Sequence, residues 1–275
     1  MKNIKTMIIG GDSKLGKALY EKMRNSGGYY PIVTSRRGNH ADAIYLDMER
    51  ADNIFIPDGV KIIYLFAAET SIDKCEQCPE KTASVNIGAV EKIIPICNEQ
   101  NIKLIFPSTN LVFSGLESIL TPDIKCHPAC EYGRQKLLAE KIIRKECTSY
   151  LIVRLGKILD ESNILFKKWK TALMNGETIT AFNDLFIAPV TMGQAADFIL
   201  KSSFAVNNEI IHFSASTQMS YYQIGLLLAE TLKIPYDRII AGSCQTCLKH
   251  QQDNVVLDDS GNTAEHNIRE FFQQL

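Results

Sequence analysis

The stretch Met7–Leu19, "MIIGGDSKLGKAL", decides how the rest of the chain is read. An apolar run meets two glycines, and a helical pattern begins within a turn of them. A buried strand, a tight turn and a helix N-terminus, in that order, are what a dinucleotide pyrophosphate needs if backbone N–H groups are to meet it. The spacing is Gly10-x-x-Ser13-x-x-Gly16, with serine where the dinucleotide pattern has its middle glycine. An ordinary strand-to-helix turn also accounts for the letters. The strand's place at the start of the chain favours a cofactor turn, and Gly10, Ser13, Lys14, Leu15 and Gly16 are assigned to it.

Outward from this turn, the first half alternates short apolar runs with amphipathic ones. "YPIVTS", "AIYLD", "VKIIYLFAA", "IKLIFPST" and "SYLIVRLG" read as strands; "KLGKALYEKMRNS", "ASVNIGAVEKIIPICNEQ" and "RQKLLAEKIIRKE" read as helices. Continuous apolar strands alternating with helices indicate a parallel sheet covered on both faces. The fold class is α/β: a Rossmann-like doubly wound parallel sheet with a smaller mixed α/β C-terminal substrate lobe. The expected division is 1–155 for the nucleotide-binding domain and 156–275 for the substrate lobe, with a strand near 209–215 returning to the first sheet.

Acids and bases nearly balance, 31 against 30, for a net charge of -1, and no block of like charge appears. That excludes the electrostatic footprint of a nucleic-acid or anionic-membrane partner and leaves a small molecule. No apolar run reaches the length of a membrane span, and the N-terminal run is too short for a signal peptide. Eight cysteines without a secretory signal fit a reducing, cytoplasmic setting with free thiols.

The second strand ends in Ser35-Arg36-Arg37, where a dinucleotide fold meets the adenine ribose. An acid there favours NAD, and guanidinium forks suit the extra phosphate of NADP. NADP(H) is therefore preferred and NAD(H) remains possible.

Six stretches in one order, "IIGGDSKLGKAL", "LFAAETSIDKCEQCPEKTASVNIGAVEKI", "IFPSTNLVFSG", "HPACEYGRQKLLAE", "LIVRLGKILD" and "NDLFIAPVTMGQAADFI", give the chain its resemblance to the extended short-chain dehydrogenase/reductases. Within them it is most similar to the dTDP-4-dehydrorhamnose reductase-like sugar-nucleotide reductases. The resemblance implies that Asp47 and Met48 lie near the adenine and that Ala67 and Ala68 end the strand under the cofactor ribose. It implies that Asn86 supports the active-site strand, that Thr109 holds the substrate carbonyl, and that Tyr132 and Lys136 are the catalytic tyrosine and lysine and also contact the cofactor, the lysine at the nicotinamide ribose. Two positions depart from the family pattern after Thr109: Asn110 and Leu111 stand where an acid and an aromatic are usual.

The residues support that pair in their own right. Positions four apart share a helix face, so Tyr132 and Lys136 can address one pocket. A phenol with a pKa of about 10 exchanges protons reluctantly at neutral pH, and a neighbouring ammonium stabilises its phenolate. YxxxK also arises often on solvated helices; Thr109 upstream and a nucleotide turn raise the catalytic reading above that one.

Substrate contacts are assigned to Asn110, Cys130, Arg154, Asp184 and Pro189. Arg154 reads equally as a ligand of substrate phosphate or as the partner of an acid. Two CxxC pairs, Cys75/Cys78 and Cys244/Cys247, could meet at a zinc ion but read better as incidental thiols, and no residue is assigned to a metal. The resemblance implies an NADP(H)-dependent reductase of a nucleotide-activated 4-keto-6-deoxy sugar, feeding polysaccharide or glycoconjugate synthesis, and a homodimer. A nucleotide-sugar epimerase with bound nicotinamide and a non-catalytic nucleotide-binding regulatory subunit are the alternatives.

Overall fold

The computed structural model describes residues 3–37, 43–51, 53–115, 120–244, 256–257 and 262–275. The chain runs β1 (Ile4–Ile9), α1 (Lys14–Ser26), β2 (Tyr29–Ser35), β3 (Ile44–Tyr45), β4 (Ile62–Leu65), α2 (Ile72–Gln77), α3 (Pro79–Asn86), α4 (Gly88–Gln100), β5 (Lys103–Thr109), α5 (Glu131–Glu146) and β6 (Tyr150–Leu155). It continues through β7 (Ile158–Leu159), α6 (Ile164–Met174), β8 (Ile179–Phe182), β9 (Phe186–Ile187), β10 (Val190–Thr191), α7 (Met192–Ala205) and β11 (Glu209–Phe213). Last come β12 (Met219–Ser220), α8 (Tyr221–Leu232), β13 (Ile239–Gly242) and α9 (Ala264–Gln274).

Seven strands form one sheet in the order β11-β6-β5-β4-β1-β2-β3. Parallel pairing joins β1 to both β2 and β4, β2 to β3 and β4 to β5. From β1 the chain first builds outward through β2 and β3, then returns to the other side of β1 with β4. The reversal opens a crevice at the carboxyl ends of β1 and β4, the place where doubly wound sheets bind ligands. Full burial explains why β4 reads as an unbroken apolar run and β6 as one interrupted only by Arg154.

The chain divides into two units. The first comprises 1–112, 126–154 and 193–211. Its core packs Met7, Ile9, Ile63, Leu65, Leu104 and Phe106 of the sheet against Val90, Ile93 and Ile94 of α4 and Ala139 and Ile143 of α5. The second comprises 113–125, 155–192 and 212–275, with its own core of Phe166, Trp169, Ile179, Ile224, Leu228, Phe271 and neighbours. Two segments fall on the other side of the division expected from the sequence: 113–125 goes with the second unit and α7 with the first. Lys103 at the start of β5 shows why α7 is held there, since its ammonium donates to the Ser203 carbonyl at 2.7 Å and to the Val206 carbonyl. Among the described residues no helix is long and apolar enough to cross a membrane.

Candidate active site

The turn after β1 is closed by Gly10, whose φ of +88° suits glycine. A Cβ there would come within 2.6 Å of the Ala67 backbone nitrogen, so only glycine lets the turn rest on the chain leaving β4. Ser13 is the N-cap of α1 with an extended backbone, and its hydroxyl oxygen accepts the Gly16 N–H at 3.0 Å. The side chain is thus turned back onto its own helix, satisfying one of the amides that a helix start leaves unpaired.

A cleft of about 470 Å³ opens beside this turn. Gly10, Asp12 and Ser13 line it from the turn, Arg36 and Arg37 from the end of β2, Asp47 and Met48 from beyond β3, and Ala67 and Ala68 from beyond β4. Of the residues assigned to the cofactor, Lys14, Leu15, Gly16, Ser35, Tyr132 and Lys136 are not among its lining. Ser35 is buried and its hydroxyl accepts the Arg37 N–H at 3.0 Å, which shapes the arginine turn from behind. The Arg37 guanidinium lies 3.5 Å from the Asp12 carboxylate. Glu69, Lys74, Lys81 and Thr82 complete the cleft and were not foreseen. Lys74 sits on α2 and Lys81 and Thr82 on α3, helices that look like plain surface elements in the sequence, and Glu69 precedes α2.

On the far side of β4, α5 carries the tyrosine and lysine. Cys130 is its N-cap, with its sulfur accepting the Gly133 N–H at 3.4 Å, and it is only 3% exposed. Gly133 is the tightest point of the site: a Cβ there would lie 2.1 Å from the Leu111 carbonyl oxygen. Glycine inside a helix costs roughly 0.5–1 kcal/mol, and here it lets α5 press onto the short turn Asn110–Val112 that follows Thr109. The buried Thr109 hydroxyl oxygen accepts the Leu111 N–H at 3.2 Å, leaving the hydroxyl hydrogen to donate elsewhere.

Burial drives the Tyr132 phenol well above its ordinary range, and Cys75 and Cys130 push in the same direction. Lys136 goes the other way. Burial lowers its ammonium to about 7, against an upward pull from Glu140. The Lys136 Nζ stands over the Phe106 ring, 3.8 Å from its centroid. Helical spacing alone would set this ammonium against Tyr132, yet the neighbours that hold it are an aromatic face and an acid one turn further on.

Arg154 resolves the choice left by the sequence. It is 2% exposed and its guanidinium forks onto Glu140, with Nε at 3.1 Å from Oε1 and Nη2 at 2.8 Å from Oε2. Ser108 donates its hydroxyl to the same carboxylate. Arg154 is therefore committed to a buried acid.

Asn86 ties the cleft to α5. Its amide donates to the Glu69 carbonyl at 3.0 Å and to Gln135 Oε1 at 2.8 Å, while its oxygen accepts the Glu69 N–H at 2.9 Å. Gln135 in turn donates to Thr82 Oγ1 at 2.9 Å. The chain beyond β4, α3 and the helix bearing Tyr132 thereby share one hydrogen-bonded frame.

Asp184 and Pro189 lie in the second unit. The Asp184 carboxylate accepts the Cys244 N–H at 2.8 Å and the Ser243 hydroxyl at 2.5 Å, which holds it below the usual carboxylate range. The Pro189 carbonyl accepts from Asn267 at 2.8 Å. Both serve as braces of that unit's loops. Cys75 is buried and donates to the Glu69 carbonyl, Cys78 is exposed, and Cys247 lies outside the described residues. Among the described residues no group of three His, Cys, Asp or Glu side chains is arranged to hold a metal ion.

Comparison with known proteins agrees with this geometry. Over 239 residues the chain is 28% identical to the probable low-salt glycan biosynthesis reductase Agl14 of Haloferax volcanii, covering 82% of this chain and 79% of the relative. It is 25% identical over 234 residues to a dTDP-4-dehydrorhamnose reductase of Aggregatibacter actinomycetemcomitans, covering 81% and 77%. The crystal structure of dTDP-4-dehydrorhamnose reductase from Bacillus anthracis in complex with NADP superposes with a TM-score of 0.84 at 18% identity, covering 100% of this chain and 99% of that one. The family described as "RmlD substrate binding domain" matches residues 4–252, and the chain belongs to that family.

Proposed function

We propose that the protein is an NADP(H)-dependent reductase of a nucleotide-activated 4-keto-6-deoxy sugar, working in glycan biosynthesis. The observation that carries this reading is that one hydrogen-bonded frame, Asn86 and Gln135, joins a dinucleotide-shaped cleft to the helix bearing Tyr132 and Lys136. The names of the reductases most similar in sequence point the same way.

The cleft fits a dinucleotide in three respects. Gly10 gives close backbone approach at the turn, a capped helix N-terminus follows it, and two arginines border the end of β2. Arg36 and Arg37 would hold the 2′-phosphate, Asp47 and Met48 the adenine side, and Ala67 and Ala68 the ribose. Bound NADPH supplies the hydride. The Thr109 hydroxyl donates to the substrate carbonyl oxygen and fixes its position. Tyr132 gives its phenolic proton to that oxygen as charge develops there, and the Lys136 cation favours the phenolate left behind. A phenol held above its ordinary range keeps its proton until the oxygen becomes basic enough to take it.

The test is NADPH consumption by the purified protein with dTDP-linked 4-keto-6-deoxy sugars, beside NADH. Turnover that prefers NADPH is expected, and replacing both Arg36 and Arg37 with alanine should raise the KM for NADPH about tenfold, equivalent to ~1.4 kcal/mol, with kcat and NADH use little changed. Absence of both NADPH binding and NADPH oxidation would overturn the reading. Product with inverted stereochemistry and no net NADPH loss would mark an epimerase instead. The same reading includes a homodimer through α4 and α5, where Leu138 is half-exposed, and sedimentation measures that directly.

A further inference from the structure

Four charged or polar side chains meet beneath α5, all of them nearly solvent-free: Ser108, Lys136, Glu140 and Arg154 are 5%, 3%, 1% and 2% exposed. Burying a glutamate and an arginine together is weak evidence of a role, because an apolar pair of similar size is often as stable. What sets this pair apart is its third neighbour. Lys136 and Glu140 lie one helical turn apart on α5, so they share a face, and that face is turned toward the sheet. Glu140 is then gripped from two strands at once, by Ser108 on β5, one residue ahead of Thr109, and by Arg154 on β6.

We propose that Glu140 is a positioning residue that keeps Lys136 cationic at the active site, with Arg154 and Ser108 fixing its carboxylate relative to the strand that carries Thr109. The proposal rests on the reductase reading only for its effect on turnover. A desolvated ammonium loses its proton readily. The Phe106 ring beneath Lys136 offers it a quadrupole, and Glu140 is the charged neighbour that favours its cation. The other ionisable groups around this end of α5 are Glu131, Tyr132 and Arg134 on α5 itself, Cys130 at its N-cap, Cys126 ahead of it, and Cys75 and Glu76 on α2; Cys97 on α4 faces Cys147 at the distant C-terminal end.

The direction of the effect follows from charge. Removing the carboxylate takes away the attraction that favours the Lys136 cation. Lys136 then becomes neutral at lower pH, and any step that needs the cation fails at lower pH. Protein carrying 13C at lysine Cε allows the Lys136 resonance to be titrated directly, without cofactor or substrate. In Glu140→Gln its midpoint should fall by about one pH unit or more, and the alkaline limb of the kcat profile should move acid-ward with it. Glu140→Asp should restore part of both shifts. Because Glu140→Gln leaves Arg154 uncompensated and can fail to fold, the double replacement Glu140→Gln with Arg154→Met serves as the second variant, for which a smaller shift of the same sign is expected.

An unchanged Lys136 midpoint in the folded variants overturns the proposal, as does a loss of kcat that is even across pH while the limb stays in place; either marks Glu140 as a purely structural brace. A midpoint that shifts in a protein that never oxidises NADPH would refute the reductase reading and leave the charge assignment standing.

Discussion

The cleft at the carboxyl ends of β1 and β4 and the ionic cluster beneath α5 both hold acids against bases, but under opposite conditions. In the cleft the Arg37 side chain is 64% exposed and that of Lys74 66%, paired with Asp12 and Glu69. Pairs of that kind are worth about 0–1 kcal/mol and yield to salt. In the cluster, Arg154 and Glu140 are 3% and 1% exposed, and stranding one partner of such a pair costs about 3–5 kcal/mol. Ligand preference in the cleft can therefore be altered residue by residue, while the chemistry under α5 stands or falls as a unit.

The sharpest way to test that contrast is Tyr132→Phe, which deletes one hydroxyl from the half-buried face of α5 above the cluster. It should lower kcat by about 10²- to 10⁴-fold with an unchanged circular dichroism spectrum and NADPH affinity; retained turnover would shift the proton donation to another group. Next in size is Gly133→Ala. Its added methyl would collide with the Leu111 carbonyl at 2.1 Å, and overpacking of that kind costs about 1–3 kcal/mol, read as a lower denaturant midpoint together with a reduced kcat because Thr109 precedes the displaced turn. The smallest effect belongs to the cleft. Ser13→Ala removes the α1 cap and should cost about 1 kcal/mol of stability, and Ser13→Gly only a few tenths, with the KM for NADPH nearly constant in both. A large KM change would mean that Ser13 serves the cofactor more than it serves its own helix.

The cleft was largely legible in the sequence because its signals are local. A strand, two glycines and a helix start sit within Met7–Leu19, and Arg36 and Arg37 follow the next strand directly. The cluster was not. Glu140 four residues after Lys136 looks like a solvated helical ion pair, a pattern common on surfaces. Its burial depends on Ser108 and Arg154, which approach through the sheet from 32 and 14 residues away. Arg154 alone left a trace, a guanidinium inside the apolar run "LIVRLG", which only its partner could interpret. Gly133 was hidden for the same reason: its neighbour Leu111 belongs to another element, and nothing within "EYGRQK" shows how near that carbonyl comes.

The interleaving of the two units has a consequence for how the chain is made. Because the first unit includes 193–211, a ribosome that has released only the first 155 residues has produced a sheet ending at β6 with a bare row of hydrogen-bonding groups, the kind of edge that recruits strands from other chains. Until α7 emerges, Lys103 also lacks its carbonyl partners at Ser203 and Val206. The first unit thus waits for sequence encoded after much of the second.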